Sequence, residues 1–133
     1  MGQQQLLLIV LGTIIVGIAV AVGINMMGNA QEQANLDAVR QDLLTIASSA
    51  QGYFAKPTMM AGGGNSFTGI ELNDISFPAD SINGNNAWNQ NAQYTLSSPT
   101  DSTVTISAVP TSDDEVTITA LIEKGDMTLT QTP

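Results

Sequence analysis

The feature that most constrains this chain is an uninterrupted apolar run near its N-terminus. Residues Leu6 to Ile24 read LLLIVLGTIIVGIAVAVGI, in which Thr13 has the sole polar side chain. As an α-helix this run would be about 28 Å long, close to the hydrocarbon thickness of a bilayer. Its thirteen Leu, Ile and Val side chains would each cost about 1.5–3 kcal/mol to leave in water. We therefore expect this helix to lie in lipid, in a bundle of similar helices, or in each at different times.

The apolar run has two simpler interpretations. A secretory signal peptide would be cleaved near the small residues Gly28 and Ala30, but the run lacks a basic n-region and is longer than an ordinary h-region. A permanent single-pass anchor would lack a basic flank, because the first base is Arg40. The positive-inside rule then favours placing the acidic C-terminal part outside the cytoplasm.

After Gly28 the pattern changes to that of an amphipathic helix. Apolar residues recur at spacings of three and four, while charged and polar residues lie mostly on the other side. The apolar stripe comprises Leu36, Val39, Leu43, Ile46, Ala50 and Tyr53, widened by Leu44, Ala47 and Phe54. Pro57 cannot continue the hydrogen-bond ladder, so it should end the helix.

The remaining residues predict a loop region followed by strands. Residues 57–88 are rich in turn formers and are expected to form a long irregular connection, with one short strand at most. From Tyr94 onward, apolar and polar residues alternate, which is typical of antiparallel strands with one buried face. Lys124 and Gly125 predict a tight hairpin, and residues 110–114 a looser one. The expected fold class is α+β: a long N-terminal helix packed on a three- or four-stranded antiparallel sheet.

Composition excludes several kinds of chemistry. The chain has neither cysteine nor histidine, so thiol catalysis, disulfides and the commonest general base are excluded. Twelve acids and three bases give a net charge of −9, which argues against a nucleic-acid partner. No charged side chain precedes Glu32. We expect a protein that is not an enzyme and that needs no cofactor and no metal.

The order of these elements resembles the type IV pilin superfamily. The resemblance covers residues 3–57 in pattern and the rest in the order of elements. The junction of Gly2 and Gln3 is similar to the site at which archaeal-type prepilins are cut, and the apolar run is similar to the polymerisation helix of the family. Four residues sit as similar residues do on the solvent-proximal half of a pilin helix: Asp42, Ile46, Ala50 and Tyr53.

The resemblance implies that the apolar side chains form the core of a filament. These residues are Leu6, Leu7, Leu8, Ile9, Val10, Leu11, Ile14, Ile15, Val16, Ile18, Val20, Val22 and Ile24. Bacterial pilins usually carry a glutamate at the fifth mature position. Here Leu7 holds that place if cleavage follows Gly2, and Gln5 holds it if Met1 is the mature start. Registry would then rest on shape and on amide hydrogen bonds of Gln3, Gln4 and Gln5, because unpaired buried amides are costly.

Glycines interrupt the apolar run and its junction with the amphipathic half. Small residues allow helices to approach closely in membranes. A second interpretation is that this stretch unwinds when the helix leaves lipid. We expect such unwinding between residues 17 and 28, at Gly17, Gly23 or Gly28.

The sequence therefore predicts the major structural subunit of an extracellular type IV pilus-like filament. Three regions are expected: a transmembrane and filament-core helix over 1–28, its amphipathic continuation over 29–57, and a loop region plus antiparallel β-sheet over 58–133. The partners would be the chain itself, the membrane before assembly, and a pilus assembly machinery. The subunit would wait in the cytoplasmic membrane and then enter the surface filament. Alternatives are a minor pilin or pseudopilin, and a membrane-anchored surface-binding protein.

A few head residues invite more specific functions. Asp113, Asp114 and Glu115 could bind a cation, but a solvated turn is the favoured explanation. Asp80 with Asn83 and Asn85 is faintly similar to a calcium loop but lacks its spacing and its bidentate glutamate. Trp88 could be a buried anchor or an exposed contact. Three Thr-x-Thr pairs could carry O-glycans or form a flat hydroxyl face for adhesion, although β-propensity on a wet surface explains them more simply. These pairs are Thr103 and Thr105, Thr117 and Thr119, and Thr128 and Thr130.

Overall fold

The computed structural model describes residues 2–133, and its first element is one long helix. Helix α1 runs from Gln3 to Ala55 without interruption. The chain divides into two compact units, Met1–Gln33 and Ala34–Pro133, which we call the tail and the head. Helix α1 continues through residue 28 without a break, so the secondary structure marks no boundary there. The expected division into three regions stays a prediction.

The head consists of the second part of α1 and a six-stranded antiparallel sheet. The strands are β1 (Ser81–Asn83), β2 (Asn86–Trp88), β3 (Ala92–Ser97), β4 (Thr103–Pro110), β5 (Thr117–Glu123) and β6 (Asp126–Thr132). Each strand pairs with the next along the chain, so the sheet is a simple meander. Two short 3-10 turns, Thr58–Met60 and Leu72–Asp74, lie in the connection from α1 to β1. The expected α+β class is confirmed.

The core lies between α1 and one face of the sheet. The predicted stripe supplies the helical side, since Val39, Leu43 and Ile46 are fully buried. On the sheet side the alternate residues of β3, β4 and β5 are buried, including Tyr94, Ile106 and Ile118. Ile70, Leu72 and Ile75 attach the long connection to the same core, as their apolar character predicts. Tyr53, by contrast, is only half-buried at the edge of the stripe.

The number of strands differs from the sequence-based expectation. Both expected hairpins are present, at Gly125 and between β4 and β5. The second turn spans residues 111–116 rather than the expected 110–114, because Pro110 ends β4. The sheet has six strands rather than three or four. The two additional strands, β1 and β2, lie within the stretch expected to be irregular, and a turn at Gly84, with φ of 60°, joins them. Each has three residues, which is too short for apolar alternation to be recognised.

A glycine-rich loop closes the C-terminal end of α1. The last carbonyls of a helix have no partner within the helix itself. Here the N–H of Gly63 donates to the carbonyl of Tyr53 at 2.8 Å, and the N–H of Asn65 donates to that of Phe54 at 2.7 Å. A Cβ at Gly63 would lie 1.9 Å from the carbonyl oxygen of Ser66. The loop can therefore satisfy the helix end only because this position has no side chain.

A buried carboxylate joins α1 to the sheet. Asp42 is 7% exposed, and its Oδ2 accepts a hydrogen bond of 2.6 Å from the Tyr94 hydroxyl and bonds of 3.0 Å from the amides of Asn89 and Asn91. Burial raises the pKa of the Tyr94 phenol, and the hydrogen bond to Asp42 raises it further. Among residues 2–133 every buried side-chain nitrogen or oxygen has a partner. Asp42 lies on the same side of the helix as Val39 and Ile46, but neither this placement nor its burial was predicted.

Candidate assembly surface

The tail presents its whole apolar surface outward. All thirteen Leu, Ile and Val side chains between Leu6 and Ile24 are more than half exposed, from 51% at Val22 to 68% at Leu7. Met26 and Met27 extend this surface toward the head, at 66% and 65%. By length and composition α1 is able to cross a membrane, and it is the one such helix in residues 2–133. An exposed apolar helix of this kind indicates membrane anchoring or assembly.

The polar side chains of the first turn and of the apolar run are few. The hydroxyl of Thr13 donates to the carbonyl of Val10 at 2.7 Å, so the sole polar side chain of the apolar run is satisfied within the helix. Gln3, Gln4 and Gln5 are exposed in the first turn. Their expected contacts with neighbouring chains stay a prediction, as does the filament-core role of the apolar residues.

The helix begins directly after the expected leader junction. Gln3 is the first helical residue, and the N–H of Leu6 donates to the carbonyl of Gly2 at 2.9 Å. Gly2 itself lies outside the helix. The polypeptide at this junction is thus an exposed, non-helical residue followed directly by the helix. Cleavage there stays a prediction.

The glycines of the tail have open space around them. A Cβ placed at Gly12, Gly17, Gly23 or Gly28 would meet no atom outside the local helix backbone within 4 Å. Nothing within one chain therefore requires glycine at these positions. The backbone is α-helical through all of them, and the expected unwinding in an assembled state stays a prediction.

The outer face of the sheet is a hydroxyl-rich surface. The three Thr-x-Thr pairs lie on neighbouring strands, and all six threonines point away from the helix. One row of directly opposed residues crosses five strands; it consists of Asn86, Thr95, Ser107, Thr119 and Thr130. Trp88 lies on the same face opposite Gln93, and it is 43% exposed, so it is not a buried anchor. Glycosylation or adhesion at this face stays a prediction.

The acidic candidates lie on exposed turns. Asp113 Oδ1 accepts a hydrogen bond of 3.0 Å from the N–H of Glu115, within the turn between β4 and β5. Asp80 precedes β1, and Asn83 and Asn85 flank the turn at Gly84. Within residues 2–133 no three His, Cys, Asp or Glu residues lie close enough together to hold a metal ion. A concavity of about 640 Å³ beside the end of α1 is open to solvent and is lined by Tyr53, Lys56, Asp74 and neighbours.

These features define a protein of pilin-like architecture: a long N-terminal apolar helix that continues into a head and packs there on a C-terminal antiparallel sheet. Comparison with protein-family models, with curated proteins and with solved structures finds no significant match to this chain. The likeness to pilins is therefore one of architecture.

Proposed function

We propose that this chain is a structural subunit of an extracellular type IV pilus-like filament. The observation that carries the proposal is the tail of α1, whose large apolar side chains are all exposed while the head has a complete core. A head that folds on a buried core does not need those side chains for its own stability. They are available for contacts outside the chain.

The energetics favour a tail that always has an apolar environment. Removing the thirteen Leu, Ile and Val side chains from water is worth on the order of 20–40 kcal/mol at about 1.5–3 kcal/mol each. A bilayer can supply this environment before assembly, and a bundle of identical helices can supply it afterwards. The two states bury similar apolar area, so extraction from lipid requires an external assembly machinery while the filament remains stable.

The distribution of charge supports a tail in the membrane and a head on its outer side. No charged side chain precedes Glu32, and the part of the chain from Pro57 onward carries nine acids and one lysine. The uncharged stretch of the tail before Glu32 can enter a bilayer, whereas the acidic head remains in water on the outer side. Heterologous contacts between tails that do not close into a ring produce an open helical filament.

The test is a pair of charges placed in the tail. Val16→Asp with Val20→Asp should abolish fibres in the sheared surface fraction of producing cells, as seen by negative-stain microscopy. The matched control is Leu121→Asp, which places a carboxylate at an exposed apolar residue of the head. The control should still form fibres. Fibres formed normally by the tail variant would refute the proposal.

The N-terminal peptide of the mature chain gives a second readout. Mass spectrometry of fibres should find a peptide that begins at Gln3 if cleavage follows Gly2. Uniform fibres made mainly of this chain identify a major subunit. Trace amounts in fibres of another protein identify a minor pilin or pseudopilin.

A second candidate is a membrane-anchored surface-binding protein. The observation that favours it is Trp88, which is 43% exposed on the hydroxyl-rich face beside Gln93. Exposed aromatic side chains combine a large apolar surface with a polar edge and are frequent at binding sites. A chain found only in membrane fractions, with binding to a surface glycan lost in Trp88→Ala, would favour this candidate over the filament subunit.

A further inference from the structure

The two edges of the sheet are protected to very different degrees. β1 has three residues and lies against the short turn Leu72–Asp74. β6 has seven residues, and its register with β5 runs from Asp126 to Thr132 without a bulge. An edge strand leaves a row of unpaired N–H and C=O groups that can pair with another strand. The edge at β6 is therefore the one at which the sheet can be extended.

The usual devices that block an edge are missing from β6. Proteins protect edge strands with lysine, proline, a bulge or a covering segment. The strand reads DMTLTQT, with neither lysine nor proline, and its one charge is Asp126 at the first position. Only Met127 is even half-buried; the other six residues are exposed. The strand is about 23 Å long, at about 3.3 Å per residue. At its start the N–H of Met127 donates to Asp126 Oδ1 at 2.8 Å, and the carbonyl of Asp126 accepts from the side-chain amide of Gln51 at 3.3 Å, so the open part of the edge follows these two residues.

Beside this edge, part of the apolar face remains uncovered. Leu129 lies opposite the buried Ala120, on the side of the sheet that faces α1, yet it is 36% exposed. Leu44 is 45% exposed on the flank of α1 from which Arg40 donates to Gln131 at 2.8 Å. The helix reaches β6 through that polar contact but leaves these two leucines open. A further strand beside β6 would cover them.

We propose that β6 pairs antiparallel with β6 of a second copy of this chain, centred on Leu129. Two residues of the two copies are then opposed when their numbers sum to twice 129, as those of Thr128 and Thr130 do. Leu129 meets its symmetry mate on the helix-facing side, and Thr128 meets Thr130 twice on the outer side. The two sheets join into one, with a two-fold axis at Leu129.

The centre of the strand is self-complementary, which is what selects a second copy as the partner. Thr128, Leu129 and Thr130 read the same in both directions, so identical strands can meet antiparallel with like side chains opposed. Opposed threonine and apolar pairs stabilise antiparallel sheets. Asp126 falls opposite Thr132, and the two copies of Asp126 stand about 20 Å apart, at opposite ends of the pair. No like charges are opposed.

This contact is separate from the proposed assembly of the tail. An isologous contact closes after two copies, whereas filament growth requires an open, heterologous one. The pairing of β6 therefore does not depend on whether fibres form. It can be tested with the full chain purified in detergent.

The absence of cysteine allows the contact to be mapped by crosslinking. Leu129→Cys in the full chain should form a disulfide-linked dimer on mild oxidation, because opposed residues of antiparallel strands have Cα atoms about 4.5–5.5 Å apart. The matched control is Leu121→Cys, since Leu121 is also 36% exposed but lies on the outer face of β5. The control should remain monomeric. Equal dimer yields from both variants would overturn the proposal, because association would then be unspecific.

A charge reversal tests the register. In the Leu129→Cys chain, Thr128→Lys with Thr130→Lys opposes like charges twice and should reduce the dimer yield about tenfold. Thr128→Lys with Thr130→Glu opposes unlike charges and should restore it. The same two lysines on β5, by Thr117→Lys with Thr119→Lys, should leave it unchanged.

Thr128 and Thr130 are exposed on the outer face, so their substitutions should leave the head folded. Near-UV circular dichroism checks the folding of each variant. A yield that ignores the sign of the charges in correctly folded variants would overturn the proposal. So would a dimer that forms only at position 129 but persists at full yield with two opposed lysines, because that result places another contact beside Leu129.

Discussion

Helix α1 passes from a region where its large apolar side chains are exposed to one where they are buried, with no change in its backbone. In the tail, Ile15 is 57% exposed, whereas in the head Ile46 is fully buried under the sheet. The two residues have the same chemistry and the same secondary structure. What differs is the pattern of apolar residues. Before Gly28 they lie all around the helix, and after Gly28 they form one stripe along it. The stripe packs against the sheet of the same chain, whereas the apolar run is left exposed by the rest of residues 2–133.

The aromatic residues make this comparison measurable. The first aromatic residue of the chain is Tyr53, so near-UV circular dichroism and the fluorescence of Trp88 report on the head alone. Each variant below can be studied as the full chain in detergent, with these signals followed during thermal or denaturant unfolding.

The largest expected difference is between truncations of buried and exposed isoleucine. Ile46→Ala should destabilise the head by about 2–5 kcal/mol, because it leaves a cavity in the core. Ile15→Ala, which removes the same atoms from the tail, should change the stability of the head by less than about 0.5 kcal/mol. Equal effects would show that the tail contributes to the folding of the head.

The next effect concerns the carboxylate that joins helix and sheet. Asp42→Asn should cost about 1.5–3 kcal/mol, because it replaces a charged acceptor with an amide that opposes the donors of Asn89 and Asn91. The control is Asp37→Asn, which removes only an exposed ion pair with Arg40 and should cost less than about 1 kcal/mol. If both variants unfold at the same denaturant concentration, Asp42 does not hold the helix to the sheet.

A smaller effect should appear at alkaline pH. The pKa of Tyr94 is raised in the folded head, so above pH 10 the unfolded chain loses the phenolic proton while the folded chain keeps it. Stability should then fall as pH rises beyond 10, by up to about 1.4 kcal/mol per pH unit. Tyr94→Phe should be less stable at neutral pH and should lack this component of the alkaline loss. Tyr53→Phe, which keeps Tyr94, should retain it.

The smallest effect returns to the tail. Gly17→Ala places a methyl group where one chain has open space, and it should stabilise the local helix by up to about 1 kcal/mol. Slower hydrogen exchange around residue 17, with an unchanged melting curve of the head, is the expected result. A loss of fibres in this variant would show that the glycine is needed between chains, whereas normal fibres would assign it no packing role.

The fold could be predicted from the sequence wherever one periodicity continued over many residues. Val39, Leu43 and Ile46 mark the helical stripe, and the alternation along β4 and β5 marks their buried faces. The strands β1 and β2 could not be recognised, since three residues show no period and their pairing depends on contacts with β3. The burial of Asp42 was missed because charge argues for exposure unless the donors of Tyr94, Asn89 and Asn91 are known to converge on it.

The apolar surface of the tail was predicted more completely than the head, while its role in assembly stays a prediction. Its side chains form one contiguous apolar run, so no long-range contact had to be known to recognise it. The open edge at β6 could not be inferred in the same way. Its sequence alternates like that of β4, and only the order of strands shows that β6 has a neighbour on one side.

The placement of charge has a consequence for any array of these chains. Every ionisable side chain lies from Glu32 onward. In the proposed filament the charged residues would therefore form an outer sheath around an uncharged core of packed helices. Such a sheath accumulates counterions, and repulsion between neighbouring sheaths is screened as ionic strength rises. The salt concentration should therefore govern how closely two filaments approach each other. It should leave the apolar packing within each filament almost unaffected.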